Sequence, residues 1–227
     1  MALDSVPSGE AAEAPALTPP PSQWFQGVTV EYARPSRHHR FWAIPLLGLA
    51  AKLIVLIPHF IILYVLQFIV RLSQLILWIP VLLGGKMPLW GYALLGGWIR
   101  WTIRVQAFLL GVTDEYPPFS IRSGTEDGRD YQVQVRVEIP EHHHRFWAIP
   151  ILGLAVKLVI LIPHLIILTV LGALAYVVSL VLWIPVLFSG RYPEWGYQLV
   201  GGTLRWSMRV LAFLDGLTDR YPPFSLN

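Results

Sequence analysis

The sequence predicts a mainly α membrane protein made of two tandem repeats. Each repeat reads as a short β-strand, a long hydrophobic helical hairpin and an amphipathic, Trp/Arg-rich interfacial helix. Three observations predict this. The chain repeats itself at a fixed offset of 105 residues: His38-His39-Arg40-Phe41-Trp42-Ala43-Ile44-Pro45 returns as His143-His144-Arg145-Phe146-Trp147-Ala148-Ile149-Pro150, and Tyr116-Pro117-Pro118-Phe119-Ser120 as Tyr221-Pro222-Pro223-Phe224-Ser225. Of the 86 pairs aligned from residue 36 to 121, 53 are identical without a gap, which marks a duplication rather than a shared compositional bias. Hydrophobic residues make up 55% of the chain and the mean hydropathy is +0.54, above the usual balance of a soluble domain. Finally, no Asp or Glu occurs between Ala33 and Thr113, a stretch that carries Arg34, Arg37, Arg40, Lys52, Arg71, Lys86, Arg100 and Arg104.

The repeat sets the domain boundaries. Residues 1–23 are rich in Ala and Pro, carry Asp4, Glu10 and Glu13, and read as a disordered tail rather than a signal peptide. Membrane repeat 1 covers 24–121, a polar linker 122–132, and membrane repeat 2 133–227. Val28-Thr29-Val30-Glu31-Tyr32 and Tyr131–Ile139 alternate with period two, as strands do. The apolar blocks Phe41–Leu83 and Phe146–Phe188 follow. Each is about twice the ~20 residues that cross a bilayer core, so a hairpin is expected, with Pro58 and Pro163 as kinks or helix starts. Gly84-Gly85-Lys86-Met87-Pro88 and Ser189-Gly190-Arg191-Tyr192-Pro193 are turns. Trp90–Gly111 and Trp195–Gly216 then place Arg100 and Arg104, and their copies Arg205 and Arg209, one helical turn apart beside Trp and Phe.

The charges suggest a partner. Arg40, Lys52, Arg100, Arg104, Arg145, Lys157, Arg205 and Arg209 are basic residues in apolar surroundings, a pattern that suits anionic lipid headgroups. Lys52 and Lys157 sit about eleven residues into their blocks. At mid-bilayer each would cost roughly 2.5–3.5 kcal/mol, so phosphate level is the expected depth. Leu, Ile and Trp around these charges argue against nucleic acid. Arginines precede both blocks, and the positive-inside rule puts the tail, the linker and both block starts on the cytoplasmic side. Two repeats in the same orientation need an even number of crossings per repeat, zero included. Gly96-Gly97 and Gly201-Gly202 fall within a helical pattern and read as sites of close packing.

Candidate chemistry is sparse. The chain has no Cys, so disulfides and thiolate metal sites are excluded. His38-His39 and His142-His143-His144 lack the carboxylate spacing of a metal site. His59 and His164 each follow Pro inside an apolar block, where a haem or chlorophyll-type pigment is the alternative to a purely structural role. No nucleophile motif or phosphate loop is present, so an enzyme is not expected.

The run His-Arg-Phe-Trp-Ala-Ile-Pro, Leu-Ile-Pro-His at 56–59 and 161–164, Gly-Arg-Tyr-Pro at 190–193, and Gly-Leu-Thr-Asp-Arg-Tyr-Pro-Pro-Phe-Ser at 216–225 resembles a known family. It is similar to bacterial membrane proteins, of actinobacterial and Chloroflexi type, built on a domain of unknown function that often occurs in tandem. The first copy departs from it with Lys86-Met87 for Arg-Tyr and Glu115 for Arg. The resemblance implies an integral protein of the bacterial cytoplasmic membrane and no activity. The expected function is therefore a non-enzymatic membrane protein that contacts anionic lipids, assembles as a homo-oligomer or within a larger membrane complex, and shapes the bilayer. A transporter or channel subunit, or a pigment-binding subunit using His59 and His164, is the alternative.

Overall fold

A computed structural model describes residues 27–33, 35, 37–44, 46–122 and 131–227. The expected tail at 1–23 and most of the linker lie outside these described residues. Within them the order is β1 (Val28–Tyr32), a 3-10 turn at Arg40–Ala43, α1 (Leu47–Gly84), α2 (Leu89–Leu109), β2 (Val133–Val137), a 3-10 turn at Arg145–Ala148, α3 (Leu152–Ser189) and α4 (Glu194–Leu214).

The two repeats face each other across a pseudo-twofold axis. β1 pairs with β2 antiparallel, and the central pair is Val30 with Val135, its own copy at the 105-residue offset. Each repeat also closes the other. The His143 amide donates to the Gly85 carbonyl at the end of α1 at 2.7 Å, and the His38 amide donates to Gly190 at the end of α3 at 2.9 Å. The start of each long helix therefore lies at the end of the other, and α1 and α3 run in opposite directions.

The expected hairpin is corrected: each long apolar block is one continuous helix of 38 residues, with Pro58, Pro80, Pro163 and Pro185 inside. No Gly-rich or Asn-Gly turn interrupts the block, and an apolar segment keeps its backbone groups satisfied best by staying helical. A proline removes one bond from such a ladder without supplying a turn. Burial shows how α1 is anchored. Lys52, Leu56, His59, Leu63, Val70, Ser73 and Leu77 are buried at alternating intervals that follow a 3.5-residue period, a single seam facing α2. The rest of the circumference is exposed or half-exposed and mostly apolar, with Gln67, Arg71 and Gln74 as its polar residues. Both helices are long and apolar enough to cross a membrane.

The expected interfacial helices are also corrected. α2 and α4 are the core of the molecule, buried on most of their surface between the long helices and the β-ribbon. Val28, Val30, Val133 and Val135 cover them from the ribbon side. Gly97 and Gly202 do serve close approach, but to extended chain rather than to a helix. A Cβ on Gly97 would lie 2.7 Å from Ile121 Cβ, and one on Gly202 the same distance from Leu226 Cβ. So Tyr116–Ile121 and its copy fold back along α2 and α4.

Each long helix begins at a strained turn. Leu46 and Ile151 take φ of 60° and 65°, a region costly for side chains of this size. Gly48 and Gly153 follow, where a Cβ would stand 2.3 and 2.5 Å from the Trp42 and Trp147 carbonyl oxygens. Gly153→Val should lower the thermal midpoint of the purified protein, equivalent to roughly 1–3 kcal/mol of overpacking. Gly172→Val should leave it within about 0.5 kcal/mol, since nothing lies within 4 Å of a Cβ there. Equal midpoints for the two variants would mean that the turn is not tightly packed.

Candidate functional site

The seam of each long helix carries a Lys, a His and a Ser; the Ser bonds its own helix, and α2 or α4 meets the Lys and the His. Lys52 is buried, and its Nζ donates to the Phe108 carbonyl at 2.7 Å, 5.0 Å from the Phe108 ring centroid. Lys157, also buried, lies 5.2 Å from the Phe213 ring. The end of α2 supplies Lys52 with a carbonyl and a ring, and the end of α4 supplies Lys157 with the Phe213 ring. Both lysine side chains thus turn into the protein interior. At Lys52 a carbonyl and an aromatic face together offset the desolvation of a bare charge, and at Lys157 two aromatic faces do so in part.

His59 and His164 sit one turn further along. Trp101 Nε1 donates to His59 Nδ1 at 2.9 Å, and Trp206 Nε1 donates to His164 Nδ1 at 2.9 Å. Phe119 stacks on His59 with ring centroids 3.9 Å apart, and Phe224 stacks on His164 at 3.8 Å. The Tyr116 hydroxyl donates to the Val55 carbonyl and the Tyr221 hydroxyl to the Ile160 carbonyl, closing each aromatic box. Indole N–H is only a donor, so each Nδ1 must accept, and the neutral ring holds its proton on Nε2. Both Nε2 atoms are buried without a partner. A haem or chlorophyll-type metal needs a bare imidazole lone pair and an open face. These rings present neither, so the residues do not fit such a group.

The four helix arginines brace the folded-back segments. Arg100 Nη1 donates to the Ile121 carbonyl and Arg205 Nη1 to the Leu226 carbonyl. Arg104 is buried, bonds the Arg122 carbonyl and stacks over the Tyr131 ring at 4.2 Å. Arg209 Nη2 donates to the Ser225 and Asn227 carbonyls. Burial, followed by the neighbouring Arg205 charge, pulls Arg209 down to about 10, which still leaves it charged at neutral pH. Four residues expected to meet lipid phosphate thus bond backbone carbonyls. Sequence could not show this, because the carbonyls arrive from segments distant in the chain.

Arg40 and Arg145, by contrast, are exposed. They stand at the two junctions between repeats, where Gly85 lies against the Arg145 and His142 side chains. Lys86 and Arg191 are exposed beside them, so each junction is a cationic pole. Beneath each pole an Asp holds the start of the next helix. Asp114 Oδ2 accepts from the His39 amide at 2.6 Å and lies 3.2 Å from His38 Nδ1. Asp219 repeats the arrangement with the His144 amide at 2.5 Å and His143 Nδ1 at 3.1 Å. In both cases the partners come from the loop that opens the long helix of the same repeat.

A family described as a domain of unknown function (DUF4389) matches residues 47–120 and again 152–225. The chain belongs to that family. Each DUF4389 unit comprises a long helix, the following core helix and the Tyr-Pro-Pro-Phe-Ser segment, so it contains the whole Lys–His–Trp seam and leaves the strands outside. No curated protein and no solved structure matches the chain. Within the first DUF4389 unit, burial raises the Asp114 pKa, but the hydrogen bond and charge of His38, the His39 amide and the Lys52 charge outweigh it and hold the carboxyl below its ordinary 3.8. The contribution of such a group is complete above the unfolded value and is lost as pH falls through the lower folded one. Asp114→Asn should therefore lower stability at neutral pH and flatten the acid limb of a stability–pH curve below about pH 4. An acid limb identical to that of the wild type would refute this coupling.

Proposed function

We propose that this tandem DUF4389 protein is a non-catalytic membrane protein whose two long helices lie in the plane of one leaflet, contacting anionic lipids at its cationic poles and wedging that leaflet apart. One observation carries the proposal: 21 of the 38 residues of each long helix are exposed, and nearly all of them are apolar. On α1, Leu53, Ile54, Ile57, Phe60, Ile61, Tyr64, Val65, Phe68, Leu72, Leu75, Ile76 and Ile79 are all exposed. A soluble monomer rarely shows an apolar patch beyond a few hundred Å². At 1.5 Å per residue each helix is about 57 Å long, nearly twice the ~30 Å hydrocarbon core, and a tilt of 40° would still leave it too long.

The antiparallel course of α1 and α3 supports the in-plane reading. If each crossed once, their starts would stand on opposite faces. Both starts are basic, and the pseudo-twofold axis makes the two poles equivalent. With the axis along the membrane normal, both poles reach headgroup level on one side and no crossing is needed. The ribbon and the core helices then sit above the long helices, and the apolar arcs face the acyl chains. Such a body adds area to one leaflet alone, which favours curved membranes.

The natural absence of Cys makes a sidedness test direct. Single-Cys variants Arg40→Cys and Arg145→Cys, reconstituted into sealed vesicles, should both react with a membrane-impermeant maleimide from the same side. Removing Lys86 and Arg191 charge with Gln should weaken binding to anionic vesicles at low salt. Labelling of positions 40 and 145 from opposite sides would overturn the in-plane reading. Binding that is indifferent to salt and to these charges would remove the lipid role of the poles.

A further inference from the structure

The two junctions between repeats share nine positions, yet among the described residues only one is open. At the end of α3, Trp183, Val186, Tyr192, His38, Trp42, Ala43, Lys52, Gly111 and Asp114 enclose about 10 Å³. At the end of α1 their copies border a cavity of about 850 Å³, within the ~300–1,000 Å³ range of small-molecule sites. Two differences account for this. Tyr192 is buried against His38 with ring centroids 5.7 Å apart, whereas the open junction has the slimmer Met87. Trp183 turns in over Lys52, while Trp78 turns away and donates its indole N–H to the Leu75 carbonyl of its own helix.

The open junction also carries polar groups that the closed one lacks. Arg71, Gln74 and Asp215 replace Tyr176, Ser179 and Leu110 of the other copy. Arg71 Nη1 donates to Asp215 Oδ1 at 2.5 Å, and Gln74 Nε2 donates to the same oxygen at 3.1 Å. Asp215 is 5% exposed, and its Oδ2 is buried with no partner. Lys157 borders the same cavity, and unlike Lys52 it makes no hydrogen bond among the described residues. His143 is occupied: its ring nitrogens meet the Tyr92 hydroxyl and Asp219. The rest of the wall is apolar, and it runs outward to Leu75, Ile151, Leu154 and Leu158, all exposed on the faces assigned to the membrane.

We propose that this chamber binds one amphiphile with a zwitterionic head, its ammonium on Asp215 Oδ2 and its phosphate on Lys157 Nζ, with its chain leaving along the apolar wall. Two carboxylates and two cations border the polar end, so a ligand of net charge would leave one buried charge unmatched. A head carrying one charge of each sign matches the open acceptor and the open donor together. The chamber's lateral opening rests on the membrane reading above; the head chemistry does not.

The test is native mass spectrometry of the full chain released from nanodiscs of phosphatidylethanolamine and phosphatidylglycerol in equal parts. The wild type should retain one phosphatidylethanolamine per chain, in at least tenfold excess over phosphatidylglycerol. Met87→Tyr installs the residue that closes the other junction and should abolish retention. Asp215→Leu installs the residue of the other copy and should abolish the preference for the zwitterion. Free phosphoethanolamine should not compete, because it lacks the chain. Equal retention of both lipids by the wild type, undiminished retention by Met87→Tyr, or displacement by phosphoethanolamine alone would each overturn the proposal. Failure to enter nanodiscs, with a monomeric lysophosphatidylethanolamine still bound at one per chain, would sink the membrane reading and leave the chamber standing.

Discussion

Everything in this fold depends on where the polar groups of α1 and α3 point. Lys52 and His59, with Lys157 and His164, lie on one 3.5-residue seam, and the core helices meet that seam with a carbonyl, an indole N–H and aromatic faces. An unmet ammonium inside an apolar block would force the helix to break or to turn that face to water. With the polar seam turned inward, the remaining arc is almost wholly apolar, broken on α1 by Gln67 and by Arg71, which is tied to Asp215, and on α3 by Thr169. The uniform outer face is thus a consequence of the inner seam, and the long helices need no turn within 38 residues.

The duplication does more than double this arrangement. Neither repeat is complete alone: each lends the carbonyl at the end of its long helix to the loop that begins the other, and each contributes one strand to a ribbon too small to stand by itself. Because the central strand pair joins a residue to its own copy, the halves began as equals, and any difference between them shows as a broken symmetry. The junctions are where they differ. Tyr192 and Trp183 fill one, while Met87 and an outward Trp78 leave the other open beside a buried carboxylate. A duplicated scaffold that keeps one junction as a plug and opens the second has separated stability from binding.

Much of this was legible in the residues. The tandem organisation, both strands, the turns at Gly85 and Gly190 and the helical nature of each block follow from period and punctuation. The hairpin was not, because the length argument assumed that an apolar block runs across a bilayer; a helix lying in the plane has no such limit. The role of the arginines was hidden for a different reason. A basic stripe beside Trp looks the same whether it meets phosphate or carbonyl oxygen, and the carbonyls of Ile121 and Leu226 reach α2 and α4 only through the Pro-Pro turn. The His59 environment had a trace in sequence, since Trp101 and Phe119 recur with it in both copies, but pairing across 42 residues is visible only in three dimensions. The chamber too left a sign: Met87 is one of the departures from the repeated Gly-Arg-Tyr-Pro pattern, and Asp215 is the acid that the first copy lacks.

The claim on which this account turns is that α3 lies along the membrane rather than through it. Nitroxide labels placed singly at exposed positions 162, 166, 170, 177, 181 and 184 in lipid bilayers, read by power saturation with oxygen and a water-soluble nickel chelate, measure that directly. An in-plane helix predicts similar depths for labels that share a face, from one end to the other. A depth that deepens to the middle of the series and returns to water at both ends would contradict it.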